Sequence, residues 1–165
     1  MKDNNPDNQD TICGPILALD LGQKRIGVAV SDELLISITR LDALQRSNWK
    51  RLIHQVASLA QRFDARTLVI GLPLRLNGSS GSAAVEVSQT AEKFARSLQI
   101  PVFLQDERLT SVEAEEHLRS EGYRPEEVHA LVDSESAAII LRDFIAGSGQ
   151  KGSRLCGQMR TVLDN

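Results

Sequence analysis

The stretch that decides the fold is Pro15-Ile-Leu-Ala-Leu-Asp20, followed at once by Leu21-Gly-Gln-Lys-Arg-Ile-Gly-Val-Ala-Val30. Two apolar runs separated by a short polar segment predict two strands joined as a β-hairpin. Gly22 lies where the chain reverses, and the small Gly27 lets another backbone or a large ligand come close. The first strand ends on Asp20, so the hairpin presents a carboxylate at its end.

Two basic residues, Lys24 and Arg25, lie in the predicted turn beside this acid. An acid that can hold a cation is therefore within a few residues of bases that can meet phosphate. A solvated aspartate in an ordinary turn has the same residue types. The functional interpretation consequently depends on whether other acids reach the same place.

The composition predicts one soluble globular domain with an aliphatic core, since 41% of the 165 residues are hydrophobic and only 4% are aromatic. We expect a disordered lead over 1–13, a single globular domain over 14–146 and a flexible tail over 147–165. The two cysteines and the polar start favour a reduced cytoplasmic setting without membrane contact. The net charge of -3 argues against a broad basic surface.

Hydrophobic periodicity predicts five strands, namely 15–20, 26–31, a weaker 35–40, 67–71 and 101–105. Helices are predicted after Ser47, after the Gly-Ser segment near 82, from Thr110, and over 133–146. A three-stranded meander followed by β-α-β units predicts an α/β fold with a mixed five-stranded sheet and helices on both faces. Ligands collect at the carboxyl ends of the strands of such sheets.

Further acids are expected at this edge. Asp106 and Glu107 end the fifth strand, and because adjacent strand residues face opposite ways, only one of them can reach the site. Asp133 shares a helical face with apolar residues, so its carboxylate must be neutralised, bonded or metal-bound. Its alternative role is an N-cap of the last helix, but the segment Pro125–Val132 also has a helical pattern, which argues against a cap at this position. Three converging acids suit a two-metal phosphodiesterase site, with two Mg²⁺ or Mn²⁺ ions held by oxygen ligands.

Between the fourth strand and its following helix, the segment Arg75-Leu-Asn-Gly-Ser-Ser-Gly-Ser82 is interpreted as a connector. It can close over nucleic acid, with Arg75 contacting phosphate. The three histidines, His54, His117 and His129, are expected on the surface or partly packed.

Four segments in this order resemble the YqgF family: Leu19–Asp32, Val69–Leu74 with Asn77 and Gly78, Asp106–Ser111, and Val132–Asp133 with Ala137–Leu141. Members of that family are described as Holliday junction resolvases or pre-16S rRNA nucleases with a ribonuclease H-like fold. The resemblance implies that Asp20, Glu107 and Asp133 are the catalytic, metal-binding acids. It also implies that Arg25, Asn77 and Arg108 lie near the substrate. The chain departs from the family in carrying Glu126-Glu-Val-His129 where basic residues often precede the last acid.

The resemblance implies a metal-dependent endonuclease on precursor 16S rRNA, branched DNA or both. Ribosomal particles are possible partners, and the chain would act as a monomer or homodimer. Two other classes compete with this prediction. A nucleotide module of the actin and Hsp70 type shares the Asp-x-Gly pattern but needs a second glycine-rich hairpin and a longer chain. A non-catalytic nucleic-acid-binding module for ribosome assembly would keep the acids without turnover.

Overall fold

The computed structural model describes residues 12–75, 77, 79, 81–107 and 110–147, with the backbone alone at 110 and 111. The predicted lead and tail therefore lie almost wholly outside the described residues. The described elements follow one another as β1 (Ile16–Leu21), β2 (Arg25–Ser31), β3 (Ile38–Gln45), α1 (Trp49–Arg62), β4 (Thr67–Leu72), α2 (Ser82–Ser97), β5 (Val102–Asp106), α3 (Thr110–Ser120) and α4 (Pro125–Gly147). None of the described helices is long and apolar enough to cross a membrane.

The strands form one mixed sheet in the order β3-β2-β1-β4-β5. β1 pairs antiparallel with β2, and β2 pairs antiparallel with β3, which makes the predicted meander. β4 joins the other side of β1 in parallel, and β5 is parallel to β4. The carboxyl ends of β1, β4 and β5 therefore meet at one edge. This topology confirms the predicted mixed five-stranded α/β fold.

Strand alternation divides the core between the two faces of the sheet. On one face, Leu17 and Leu19 pack with buried residues of α1 and α2, such as Val56 and Phe94. On the other face, Ile16 and Ala18 pack against the apolar residues of α4. α3 packs in turn against α4. Helices thus cover both faces, as the sequence predicts.

The predicted third strand and the predicted cap of the first helix are wrong. The third strand spans Ile38–Gln45 and not 35–40, and it begins later because Asp32 holds the preceding turn. Its Oδ1 accepts hydrogen bonds from the backbone N–H groups of Ile36 (2.7 Å) and Ser37 (3.0 Å). The cap of α1 is Asn48 and not Ser47, since the Asn48 side chain accepts from the N–H of Arg51.

The last helix begins at Pro125, eight residues before the predicted start at 133. Proline is favoured at the first helical position because its missing N–H needs no partner there. The Glu127 carboxylate reaches back to the N–H of Arg124 at 2.8 Å, which satisfies a donor at the helix start. Asp133 consequently lies well inside α4 and is not the N-cap that the alternative interpretation required.

The approach of α4 to the sheet depends on Gly27 of β2. A Cβ at this position would fall 1.8 Å from the backbone carbonyl oxygen of Asp133. No side chain fits there unless the helix moves. Beside this contact, the Ser134 hydroxyl accepts from the N–H of Val28 at 3.4 Å and donates to the carbonyl of Leu41 at 2.6 Å. The position of Asp133 is therefore set by backbone contact with the sheet.

We expect Gly27→Ala to lower the free energy of unfolding by about 1–3 kcal/mol or more, because the methyl group overlaps backbone atoms that cannot rotate away. Urea denaturation measures the change. Gly147→Ala is the matched control, since a Cβ there meets nothing within 4 Å among the described residues. It should change the stability by less than about 0.5 kcal/mol. A Gly27→Ala protein as stable as the wild type would contradict the described packing.

Candidate active site

The predicted site acids lie on one face of the sheet, the face that α4 covers. Ile16 and Ala18 of β1 face α4, so alternation places Asp20 on the same side, at the end of the strand. Gly27 is the direct cross-strand partner of Asp20. On the other side, Leu19 pairs with Ile70, so Gly71 is the neighbour of Asp20 on β4. Asp20 is thus flanked on both neighbouring strands by positions without a side chain.

Gly71 makes room for Glu107. A Cβ on Gly71 would lie 2.4 Å from Glu107 Oε2 and 2.5 Å from the Cδ1 of Ile140. Glu107 follows β5 directly, and its N–H donates to the carbonyl of Leu72 at 2.9 Å, which continues the pairing with β4. The inward-facing member of the Asp106–Glu107 pair is therefore Glu107. The sequence interpretation missed this role of Gly71, although its position at the end of an apolar strand was visible.

The carboxyl groups of Asp20 and Glu107 are hydrogen-bonded to each other. Burial, the nearby charge of Asp20 and this hydrogen bond raise the pKa of Glu107 from 4.5 to about 9. Burial also raises the pKa of Asp20, with a smaller contribution from the negative charge of Asp133, while the hydrogen bond from Glu107 opposes the shift. The pair of Asp20 and Glu107 therefore keeps a proton to a higher pH than either acid would alone.

Asp133 completes the acidic face from α4. The Nε of Arg25 lies 2.9 Å from Asp133 Oδ2, and Arg25 also donates through Nη2 to the carbonyl of His129 at 3.2 Å. The ion pair lacks hydrogen-bond geometry, and within the described part of the chain no donor makes a hydrogen bond to the buried Oδ2. Arg25 therefore neutralises the charge of the third acid.

The donor set fits a divalent cation in its chemistry. Three carboxyl groups supply the hard oxygen ligands that Mg²⁺ requires. Asp20 and Glu107 share a proton, and Arg25 neutralises Asp133. Positive charge therefore stabilises the acids at this place. As they stand, however, no three acidic, histidine or cysteine side chains among the described residues are close enough to hold an ion together. Binding an ion through all three acids would thus need side-chain movement.

The predicted substrate-binding residues lie in three places. Lys24 is exposed in the β1–β2 turn and lines the same groove as Arg25 and Asp133. Arg75 is exposed beside Gly81 at the start of α2, with its Nε 3.2 Å from where a Cβ would be. Asn77 uses its Oδ1 to accept from the N–H and the hydroxyl of Ser79, so it holds the loop locally. Arg108 lies outside the described residues.

The sequence of the chain is similar to those of nucleases from several bacteria. A candidate pre-16S rRNA nuclease of Syntrophus aciditrophicus (strain SB) is 39% identical over 136 residues, which span 82% of this chain and 91% of the relative. A candidate pre-16S rRNA nuclease of Anaeromyxobacter sp. (strain Fw109-5) is 37% identical over 131 residues, spanning 79% of this chain and 96% of the relative.

The fold has a solved counterpart in RuvC of Thermus thermophilus, determined in complex with a Holliday junction substrate. The TM-score is 0.54 at 16% identity, covering 84% of this chain and 98% of that chain, so the likeness is one of fold. The sequence profile described as RuvX, Holliday junction resolvase, matches residues 14–147. This chain therefore belongs to the RuvX (YqgF) family of Holliday junction resolvases.

Proposed function

We propose that this chain is a divalent-metal-dependent nuclease that hydrolyses phosphodiester bonds in structured nucleic acid, with precursor 16S rRNA as its substrate in the cytoplasm. The observation that carries the proposal is the hydrogen-bonded pair of Asp20 and Glu107 beside Asp133, at the edge where three strands end. The family and the names of the relatives support the class of reaction. Ribosomal particles are the expected setting.

Asp20, Glu107 and Asp133 are the residues that would hold the cations, and we propose two ions, Mg²⁺ or Mn²⁺. When bound, such cations supply Lewis-acid stabilisation of the negative charge that develops on the phosphate. Three carboxylates close together repel one another, so cation binding and loss of the Glu107 proton are coupled.

The chain's own residues then divide the remaining work. As a carboxylate, Glu107 would orient the attacking water. Arg25 would offer its guanidinium to a phosphate oxygen if its pair with Asp133 were broken. Lys24, exposed in the same turn, adds a second cation for the phosphate backbone. Arg75 and Asn77 would contact the nucleic acid from the β4–α2 connection.

Asp20→Asn should reduce cleavage of precursor 16S rRNA by at least about 100-fold, because even partners of metal ligands typically cost 10–100-fold when removed. Gel analysis of end-labelled RNA with Mg²⁺ or Mn²⁺ measures the rate. Asp42→Asn, an exposed aspartate of β3, is the matched control and should cleave like the wild type.

A four-way DNA junction is assayed in parallel, since the family description names that substrate. Cleavage of the junction without cleavage of the RNA would indicate that the substrate is branched DNA and not precursor rRNA. Binding of RNA without cleavage of either substrate would contradict the nuclease proposal and favour the non-catalytic assembly module. Hydrolysis of ATP with both nucleic acids left intact would favour the nucleotide module.

The raised pKa of Glu107 predicts that the cation-free protein loses stability as the pH rises. The unfolded chain releases this proton near 4.5, whereas the folded chain keeps it up to about 9. Between these values the folded state binds more protons, so its stability falls by at most ~1.4 kcal/mol per pH unit. Denaturation curves with a chelator at pH 5–9 measure the slope.

Glu107→Gln removes the titrating group and should make this slope shallower, while divalent cation should stabilise the wild type most at high pH. Glu116→Gln on the exposed side of α3 is the matched control and should keep the slope of the wild type. A Glu107→Gln protein with an unchanged slope would show that Glu107 is not protonated in the fold.

A further inference from the structure

A polar groove of about 370 Å³ adjoins the acidic face. It lies between the β1–β2 turn, the end of β3 and α4, and it is lined by Gln23, Lys24, Arg25, Gln45, His129 and Asp133. Its size is in the range of small-molecule sites. Asp133 belongs both to this groove and to the acidic face, so the two are continuous.

The wall formed by the β1–β2 turn is held from outside by Arg46. The Arg46 N–H donates to the carbonyl of Lys24 at 3.0 Å, and its Nη1 donates to the carbonyl of Gly22 at 2.8 Å. Its Nη2 in turn contacts Glu86 of α2 at 2.7 Å. The opposite wall is the second turn of α4, where the His129 carbonyl accepts from Arg25. Both walls are therefore fixed by hydrogen bonds, and the side chains of Gln23, Gln45 and His129 stay exposed in the groove.

The lining side chains divide by chemistry. Lys24 and Arg25 offer positive charge suited to phosphate oxygens. Gln23, Gln45 and His129 each offer a donor and an acceptor, which is the combination that the edge of a nucleobase requires. The side chains of all three are exposed. Among the described lining residues, His129 also carries an aromatic ring, so its imidazole can stack on a base as well as hydrogen-bond to it.

We infer that this groove is a subsite for one unpaired nucleotide next to the scissile phosphate, an inference that rests on the proposed nuclease function. Because Asp133 belongs to both places, a strand whose phosphate meets the acids of the active site can continue into the groove. A base in a continuous duplex uses its Watson–Crick edge on its partner, so only an unpaired base presents that edge to Gln45 and His129. The substrate class is thus nucleic acid with an unpaired nucleotide at the cleavage point.

Binding is measured with the full chain carrying Asp20→Asn and Mg²⁺, so that the probe stays intact. The probes are an RNA hairpin with a single bulged nucleotide and the same hairpin fully paired. We expect tighter binding of the bulged hairpin, and Gln45→Ala with His129→Ala should remove roughly tenfold of this preference if two hydrogen bonds are lost. His129→Ala keeps the backbone carbonyl that holds Arg25.

Gln99→Ala with His54→Ala is the matched control, since both residues are exposed on elements away from the groove, and it should keep the preference. Equal binding of the two hairpins, or a preference untouched by the groove variant, would overturn the subsite. Cleavage by the wild type tests the proposed function separately. An active wild type whose Asp20→Asn form shows no preference refutes the groove alone.

Discussion

The arrangement of the site depends on one steric constraint, the contact between Gly27 and the backbone of Asp133. Because a side chain at Gly27 would occupy the space of the Asp133 carbonyl, the helix can lie this close only over glycine. The Ser134 hydroxyl, which bonds to both β2 and β3, fixes the helix in register at the same point. The acid from α4 is therefore placed by the sheet itself, next to the strand that carries Asp20.

Glycine at positions 27 and 71 also brings negatively charged side chains close together, and these charges repel one another. Gly71 admits the Glu107 carboxyl against Asp20, so two acids are partly buried together, and one of them keeps its proton. The Nε of Arg25 lies 2.9 Å from the Oδ2 of Asp133, so its positive charge neutralises this third acid. A proton and a guanidinium thus hold the positions that divalent cations would take in the proposed function. Burying these acids costs stability, and the core on both faces of the sheet offsets that cost.

Sequence periodicity predicted the sheet because buried strands and alternation are local signals, and the hairpin of Asp20 followed from its glycine and its apolar runs. The ends of the helices and strands were harder to predict from the sequence. Pro125 and Glu127, which lies three residues after Arg124, are typical of a helix start. The prediction nevertheless began the helix at 133, because the apolar face of 133–146 is the stronger periodic signal. The choice between Asp106 and Glu107 needed the register of β5 against β4. The role of Gly71, and the meeting of Gln45 and His129 in one groove, come from contacts across the fold, which no local pattern contains.

The central claim is that Asp20, Glu107 and Asp133 share one cation-binding place. Anomalous X-ray diffraction from crystals soaked in Mn²⁺ tests it most directly. We predict a peak in contact with carboxyl oxygens of Asp20 and Glu107, with Asp133 turned toward it and Arg25 displaced. A saturating Mn²⁺ soak that leaves the Arg25–Asp133 pair intact, with density only at other sites, would contradict the account.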